Sequence, residues 1–332
     1  MIRLATVGTS QITKGFIGGC LLAGEYTLAA VYSRDHERGR DFGALFGCNR
    51  VICDINELAA AEDIDAVYIA SPNAFHVAQS MLMLNHGKHV ICEKPVVVSC
   101  SQLYELQKTA DENGVIFMEA IIPRHLPARN TVLETIQKLG SITHARFDFS
   151  QLSSRYENYR AGRAENIFDP KMAAGTFMDL GIYCVYLAAD FFGLPDNVCA
   201  AKVNLTTGAD GIGAALLTYK DKMVTLSYNK LANGGAGSEI AGDKGVLKIG
   251  SVSKLTDVSF VSNDGKAEKL VGDFTKEELM SGEAKSFANY IVRRPQFESD
   301  YRAASALAIT VHTIMDEIRK SANITFNMEE LR

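Results

Sequence analysis

The N-terminal stretch Ile2-Arg-Leu-Ala-Thr-Val-Gly-Thr-Ser-Gln-Ile-Thr13 decides the fold. Residues 2–7 form an apolar run of strand length, and Gly8 follows at the point where the chain must turn sharply. Thr13 opens a stretch of helix length. Because a strand that turns at a glycine into a helix is the start of a βαβ unit, we expect a parallel sheet with helices on its faces.

The same alternation of strands and helices continues to about residue 122. The near-continuous apolar run Ala66-Val-Tyr-Ile-Ala70 is typical of a strand that helices bury on both faces. Residues 1–122 are therefore predicted to form a doubly wound, Rossmann-type parallel sheet. Its predicted strands cover residues 2–7, 27–33, 51–53, 66–71, 89–93 and 115–119.

The remaining residues, 123–332, show a different pattern. A helix over 126–139 and a strand over 141–149 precede a polar loop that ends at residue 168, and an apolar helix covers 178–192. Short strands with turn signals such as Asn233-Gly-Gly235 follow from 198 to 271, and 276–320 is helical by periodicity. We predict an α+β domain with a large, mainly antiparallel open sheet, which binds substrate and mediates oligomerisation. Its C-terminal helix can pack back on the first domain.

Composition excludes several classes of function. The chain has 332 residues, which is typical of two domains, and its net charge of -5 without a dense Lys/Arg block argues against a nucleic-acid partner. Seven irregularly spaced cysteines indicate reduced core residues rather than disulfides. No apolar run approaches the roughly 20 residues of a membrane helix. We expect a cytoplasmic protein without a membrane or metal site.

Gly8 is the only glycine kept from the dinucleotide-binding pattern G-x-G-x-x-G. It would form the tight turn, Ser10 would lie where the backbone approaches the pyrophosphate, and the amides of the following helix would favour anions. A strand-to-helix turn with one glycine is also common in sheets that bind no ligand.

The end of the second strand carries Ser33 and Arg34, where NAD-specific domains usually have a carboxylate. A hydroxyl followed by a guanidinium suits a 2′-phosphate, so we predict NADP as the preferred cofactor, with NAD as the alternative. Arg34 could equally be a solvated residue at the start of a helix.

Two further motifs carry reactive side chains. Glu93-Lys-Pro95 follows the fifth strand, at the sheet edge where doubly wound folds bind ligands. Asp179 and Tyr183 are four residues apart on the apolar helix, with Gly181 between them at a cost of about 1 kcal/mol relative to alanine. The alternative is a buried tyrosine whose hydroxyl meets a carboxylate.

Together these motifs resemble the Gfo/Idh/MocA family of oxidoreductases. The resemblance covers the single-glycine turn, the run from Ser71 through Pro72-Asn-Ala-Phe-His76, the Glu93-Lys-Pro95 motif and the Asp179-x-Gly-x-Tyr183 helix. Many members have histidine where this chain has Tyr183. The tyrosine, with Met118-Glu-Ala120 and Phe168-Asp-Pro170, is most similar to the dimeric dihydrodiol dehydrogenase and NADP-dependent xylose dehydrogenase branch.

The resemblance implies roles for individual residues. Tyr183 would be the catalytic base, because a neighbouring ammonium lowers the pKa of a phenol from about 10, and Lys94 would supply that ammonium. Asp179 would orient either of them, and Arg124 and Phe168 would contact substrate together with Asp179 and Tyr183. The predicted cofactor-binding residues are Gly8, Thr9, Ser10, Ile12, Ser33, Arg34, Ser71, Pro72, Asn73, His76, Glu93 and Lys94.

The expected function is hydride transfer between a nicotinamide cofactor and a secondary alcohol or carbonyl of a sugar, polyol or dihydrodiol. Two alternatives are a nicotinamide-dependent glycosidase that oxidises its substrate transiently, and a regulator that binds the cofactor without chemistry. The alternation in Ala215-Leu-Leu-Thr-Tyr219 predicts an uncovered sheet face, and hence a homodimer or homotetramer through the C-terminal sheet.

Overall fold

The computed structural model describes residues 1–163 and 165–326. The chain divides into two compact units. The first unit is Met1–His125 with Thr275–Ala306, and the second is Leu126–Phe274 with the described residues from Leu307 onward. The sequence placed the boundary after residue 122 and assigned 123–332 to one domain, whereas Thr275–Ala306 lies in the first unit.

The α-helices follow the predicted periodicity. In chain order they are α1 (Gln11–Ala23), α2 (His36–Ala44), α3 (Ile55–Ala60), α4 (His76–Asn85), α5 (Cys100–Glu112), α6 (Ala128–Ile136), α7 (Tyr156–Arg160), α8 (Ile182–Phe192), α9 (Lys276–Val292) and α10 (Arg294–Ser321). The loop predicted to end at residue 168 contains α7, which is too short to show a period in the sequence.

The first unit is built on a parallel sheet with the order β3-β2-β1-β4-β5-β6, the Rossmann order. Its strands are β1 (Ile2–Val7), β2 (Tyr26–Tyr32), β3 (Val51–Ile52), β4 (Ala66–Ile69), β5 (His89–Glu93) and β6 (Phe117–Ala120). Every residue of β4 is buried, as expected for a strand covered on both faces. The predicted doubly wound sheet is confirmed.

Close helix packing explains why α9 belongs to the first unit. A Cβ on Gly19 of α1 would lie 2.7 Å from a backbone carbon of Met280, so the two helices approach at backbone distance. The hydroxyl of Tyr26 donates to the carbonyl of Ala284 at 2.6 Å. Phe287, which is fully buried, completes this core. A contact made by glycine gives no apolar signal, and for that reason the sequence left open whether a C-terminal helix packs on the first domain.

The second unit contains an eight-stranded sheet with the order β14-β13-β12-β11-β7-β10-β9-β8. Its described neighbouring strands pair antiparallel, apart from β7 and β10, which are parallel. The predicted, mainly antiparallel sheet is thus confirmed. The strands are β7 (Ile142–Ser150), β8 (Asn197–Asn204), β9 (Asp210–Thr218), β10 (Met223–Asn229), β11 (Ser238–Gly242), β12 (Gly245–Ser251), β13 (Thr256–Ser262) and β14 (Ala267–Val271).

Helix α8 packs on β7 and β10, and a π-helical turn at Phe177–Gly181 precedes it. The sequence predicted one continuous helix over 178–192. A Cβ on Gly181 would lie 2.6 Å from the ring of Phe177 and 3.1 Å from the ring of Tyr228, so glycine lets two aromatic rings approach the helix backbone. This packing offsets the low helix propensity of glycine, and π-helical turns are frequent at functional sites.

The segment Pro170–Phe192 is long and apolar enough to span a membrane by length and composition. The expectation that no run approaches that length was therefore wrong. However, 78% of its most apolar window is buried inside the protein, as in the core helix of a soluble protein.

Candidate functional site

The turn between β1 and α1 has a backbone that only glycine adopts readily. Gly8 has a φ of 116°, and a Cβ there would lie 2.8 Å from the carbonyl oxygen of Ala70. Ser10 caps α1, because its Oγ accepts the amide hydrogen of Thr13 at 3.5 Å. A helix N-terminus beside a tight glycine turn fits the phosphates of a dinucleotide. Ile12, in the first turn of α1, is half-buried.

Two arginines, rather than one, follow β2: Arg34 in the loop and Arg38 in the first turns of α2. Ser33 is nearly buried, and its Oγ donates to the carbonyl of Asp35 at 2.7 Å, which shapes the start of α2. Arg34 is exposed. Arg38, which the sequence analysis missed, donates from Nε to Oγ1 of Thr9 at 2.8 Å and so reaches the glycine turn. Its position four residues after Arg34 is the signal that could have identified it.

His76 connects two loops at the carboxyl edge of this sheet. Its Nδ1 lies 2.9 Å from the carbonyl oxygen of Pro95 and its Nε2 lies 2.8 Å from that of Ser71. Burial lowers the pKa of His76, whose exposed fraction is 1%. The ring therefore positions the loop of Pro72 and Asn73 and the loop after β5, and it offers almost no surface to a ligand. Direct cofactor contact by His76 stays a prediction.

The Glu93-Lys-Pro95 motif lies directly after the buried strand β5. An oxygen of Glu93 accepts a hydrogen bond from the hydroxyl of Tyr68 at 2.6 Å. Lys94 is half-buried, and the peptide bond to Pro95 is cis. The backbone amide of Val96 donates to Glu119 at 3.0 Å, which fixes the loop on its other side.

In the second unit, two polar side chains emerge from an apolar helix. Among residues 173–189, Asp179 and Tyr183 are the two that are not buried. The ring of Tyr183 meets that of Phe149 edge-on, with centroids 5.5 Å apart. Both residues are half-buried, and the arrangement in which the Tyr183 hydroxyl meets a carboxylate stays an alternative.

Asp179 forms an ion pair with Lys230, a residue that the sequence analysis did not single out. The Lys230 side chain is 4% exposed and that of Asp179 is 40% exposed. The alternation of buried and exposed residues along β10 is the sequence signal that could have identified Lys230. Val224, Leu226 and Tyr228 are its buried residues, and the same two-residue period places Lys230 on the inward face.

The two predicted substrate contacts lie in other environments. Arg124 pairs with Asp300 at 2.6 Å in the first unit, and its side chain is 9% exposed. Phe168 is 1% exposed, and its ring centroid lies 5.7 Å from Nζ of Lys230. The structure therefore gives each residue a packing contact, and their roles as substrate contacts stay predictions.

Within residues 1–163 and 165–326, no group of three or more His, Cys, Asp or Glu side chains could hold a metal ion. The first unit contributes the glycine turn and Lys94 to the candidate site chemistry, and the second unit contributes the carboxylate of Asp179 and the phenol of Tyr183.

Comparison with known proteins identifies the family. The family model for oxidoreductases with an NAD-binding Rossmann fold matches residues 2–121, and the model for the GFO/IDH/MocA C-terminal domain matches residues 133–248.

Two sequence relatives extend over nearly the whole chain. The scyllo-inositol 2-dehydrogenase (NADP+) IolU of Bacillus subtilis is 34% identical over 99% of this chain and 100% of its own length. The trans-1,2-dihydrobenzene-1,2-diol dehydrogenase of Oryctolagus cuniculus is 26% identical over 96% and 99%.

One solved structure supports the fold. KijD10, a 3-ketoreductase from Actinomadura kijaniata in complex with NADP and TDP-benzene, has a TM-score of 0.81 at 22% identity, covering 97% of this chain and 98% of its own. The resemblance inferred from the motifs is confirmed, and the chain belongs to the GFO/IDH/MocA family of NAD(P)-dependent oxidoreductases.

Proposed function

We propose that this protein is an NADP-preferring dehydrogenase that oxidises a secondary alcohol of a neutral cyclic polyol. The partial exposure of Asp179 and Tyr183 within an otherwise buried segment is the observation that carries this proposal, because a catalytic base must reach its substrate from a rigidly held position. The 34% identical relative, an NADP-dependent scyllo-inositol dehydrogenase, supports a cyclitol as the first substrate to test.

The preference for NADP rests on charge at the end of β2. No carboxylate occupies position 33, Arg34 follows it on the surface, and Arg38 brings a guanidinium to Thr9, next to the turn that Gly8 forms. A guanidinium binds phosphate oxygens in a bidentate manner, and a carboxylate here would repel a 2′-phosphate. Gly8 and the capped start of α1 fit the pyrophosphate.

Each reactive side chain has an assigned role. A bound nicotinamide would supply the hydride acceptor for the carbinol carbon of the substrate. Tyr183 takes the proton from the hydroxyl as general base. Lys94 donates a hydrogen bond to the substrate oxygen and stabilises its developing negative charge. Asp179 orients the catalytic groups, so its loss reduces the rate more than it reduces binding.

The experiment that tests this function is a fluorescence titration of the wild type and Arg34→Ala with NADPH and NADH. Tight NADPH binding that weakens selectively in Arg34→Ala supports the proposal. Arg40→Ala is the matched control, because Arg40 lies on α2 and pairs with Asp41. If neither nucleotide binds up to about 1 mM, or about 4 kcal/mol of affinity, the oxidoreductase assignment fails.

Turnover distinguishes the two alternatives. A dehydrogenase produces NADPH in step with polyol oxidation, a glycosidase that oxidises transiently releases sugar without net NADPH, and a regulator does neither.

We also propose a cytoplasmic homodimer or homotetramer that associates through the outer face of the second-unit sheet. Val203 of β8 and Met223 of β10 are 58% and 52% exposed on this sheet. Exposed apolar side chains on a broad sheet favour self-association. A single monomeric species in sizing runs at dilute protein would contradict this.

A further inference from the structure

The ion pair between Asp179 and Lys230 joins side chains in unlike environments. Lys230 follows β10 on its inward face and is 4% exposed, whereas Asp179 is 40% exposed. A buried ammonium requires a compensating partner, because desolvation of an unpaired charge costs several kcal/mol. The carboxylate of Asp179 therefore pairs with a lysine of the sheet, while the Asp179 side chain remains partly accessible.

The surroundings of Lys230 leave its ammonium little freedom. The ring of Phe168 lies 5.7 Å from Nζ, and a cation over an aromatic face is attracted by it. The backbone amide of Lys230 donates to the carbonyl of Gly211 at 3.2 Å, and its carbonyl accepts from the amide of Ser153 at 2.9 Å. Main chain and side chain are thus both held, as a rigid support requires.

Asp210, at the start of β9, is the second carboxylate near this lysine. It is 2% exposed, and one of its oxygens accepts the backbone amide of Phe177 at 2.6 Å, at the start of the π-helical turn. Burial raises the pKa of Asp210, and the positive charges of Lys202 and Lys230 oppose that shift. Lys230 therefore lies near two carboxylates that both act on the Phe177–Gly181 turn, one at its start and one within it.

We infer that Lys230 is a positioning residue, which fixes the carboxylate of Asp179 for the reaction by pairing with it from the inward face of the sheet. This role rests on the proposed function, since Asp179 orients the catalytic groups there. Lys230 makes no contact with substrate in this account and acts through Asp179.

The kinetic test is a double-mutant cycle with Asp179→Ala, Lys230→Met and the double variant, with scyllo-inositol and NADP+ as the probes. Lys230→Met should lower kcat by about 10- to 100-fold and change KM less than about threefold, with NADPH affinity unchanged. In the Asp179→Ala background, Lys230→Met should cause no further loss. A merely structural lysine would instead lower kcat by the same factor in both backgrounds, which would overturn the inference.

Lys202→Met is the matched control. Lys202 lies on the same sheet and also acts on Asp210, but its Nζ donates to the carbonyl of Asn323 at 2.6 Å. Its removal should leave kcat unchanged. A loss of kcat equal to that of Lys230→Met would show that any lysine near Asp210 suffices, and would contradict a specific role through Asp179.

Thermal unfolding tests the ion pair without any substrate. Asp179→Ala leaves a buried ammonium without this partner, whereas Lys230→Met leaves a part-exposed carboxylate, so Asp179→Ala should lower the melting temperature more, by about 5 °C or more. The double variant should melt above Asp179→Ala. Equal, additive losses would refute the pair. If the wild type oxidises no polyol, the proposed function fails and the positioning role fails with it, while the melting order still reports on the pair.

Discussion

The glycine turn of the first unit and the Asp179–Tyr183 helix of the second unit are built in different ways. In the turn, Gly8 and Ser10 are two residues apart, and backbone conformation and capping fix the geometry locally. On the helix, Asp179 depends on Lys230, which lies 51 residues later in the sequence. A site whose geometry is fixed by neighbouring residues can be predicted from a short sequence motif. A site that depends on tertiary packing can be predicted from the sequence only in part.

Loss of the Tyr183 hydroxyl should have the largest effect. Tyr183→Phe removes the general base and should lower kcat by about 10²- to 10⁴-fold. The affinity for NADPH should stay within about twofold of the wild type, since the predicted cofactor contacts all lie in the first unit. Steady-state kinetics with a parallel NADPH titration measures both. Retention of the full rate would remove Tyr183 from the mechanism.

A methyl group at Gly8 should break the locally built site. Gly8→Ala places a Cβ 2.8 Å from the Ala70 carbonyl oxygen at a φ of 116°, so the turn must move, and NADPH affinity should fall by about tenfold or more. Gly24→Ala is the control, because Gly24 ends the same helix at a φ of 73° and an added Cβ there would meet no atom within 4 Å. That variant should lose stability but keep its NADPH affinity. Similar affinity losses in both would refute a specific role for the turn.

Arg38→Ala should have a smaller effect. Arg38 contacts Thr9 at the turn, so its removal should weaken NADPH binding about three- to fivefold and leave NADH binding nearly unchanged. Isothermal titration with both nucleotides provides the comparison. An equal loss for the two nucleotides would show that Arg38 supports the turn and does not recognise the 2′-phosphate.

A separate effect concerns acid stability rather than rate or cofactor affinity. Burial lowers the pKa of His89 to about 4, and its Nδ1 accepts the backbone amide of Ile116 at 2.9 Å, which requires the neutral ring. Because the unfolded pKa is about 6.5, this contribution is complete above about pH 6.5. It is lost as the pH falls toward 4, by at most about 1.4 kcal/mol per pH unit.

Urea unfolding of the wild type and His89→Asn across this range measures the contribution. The wild type should lose stability relative to the variant as the pH falls. His86→Asn, at an exposed position, serves as control. A constant difference in the free energy of unfolding between wild type and His89→Asn over the whole range would contradict a half-buried, neutral His89.

The strands were the most predictable part of the fold. Strands β1 and β5 have the predicted bounds, because apolar runs bounded by polar or glycine residues leave little choice. The π-helical turn was missed, and it lies where Tyr228 of β10, a residue distant in sequence, packs against Gly181. The return of α9 to the first unit was left open because glycines make the contact.

The site followed the same rule. Gly8, Lys94, Asp179 and Tyr183 stand in local motifs that the sequence exposes. To identify Lys230, one must know which face of β10 is buried. To identify Arg38, one must know that its guanidinium reaches Thr9. Arg124 and Phe168 were assigned to substrate through the family resemblance, and their packing contacts came from residues distant in sequence.

The most direct test of the account is reduction of NADP+ by the wild type with scyllo-inositol, measured in a preparation whose NADPH affinity has been determined. We predict tight NADPH binding and NADPH formation that depends on both the polyol and NADP+. Tight binding with no NADPH formed from scyllo-inositol or from a panel of sugars and diols would contradict it, and would leave a protein that binds the cofactor without oxidising an alcohol.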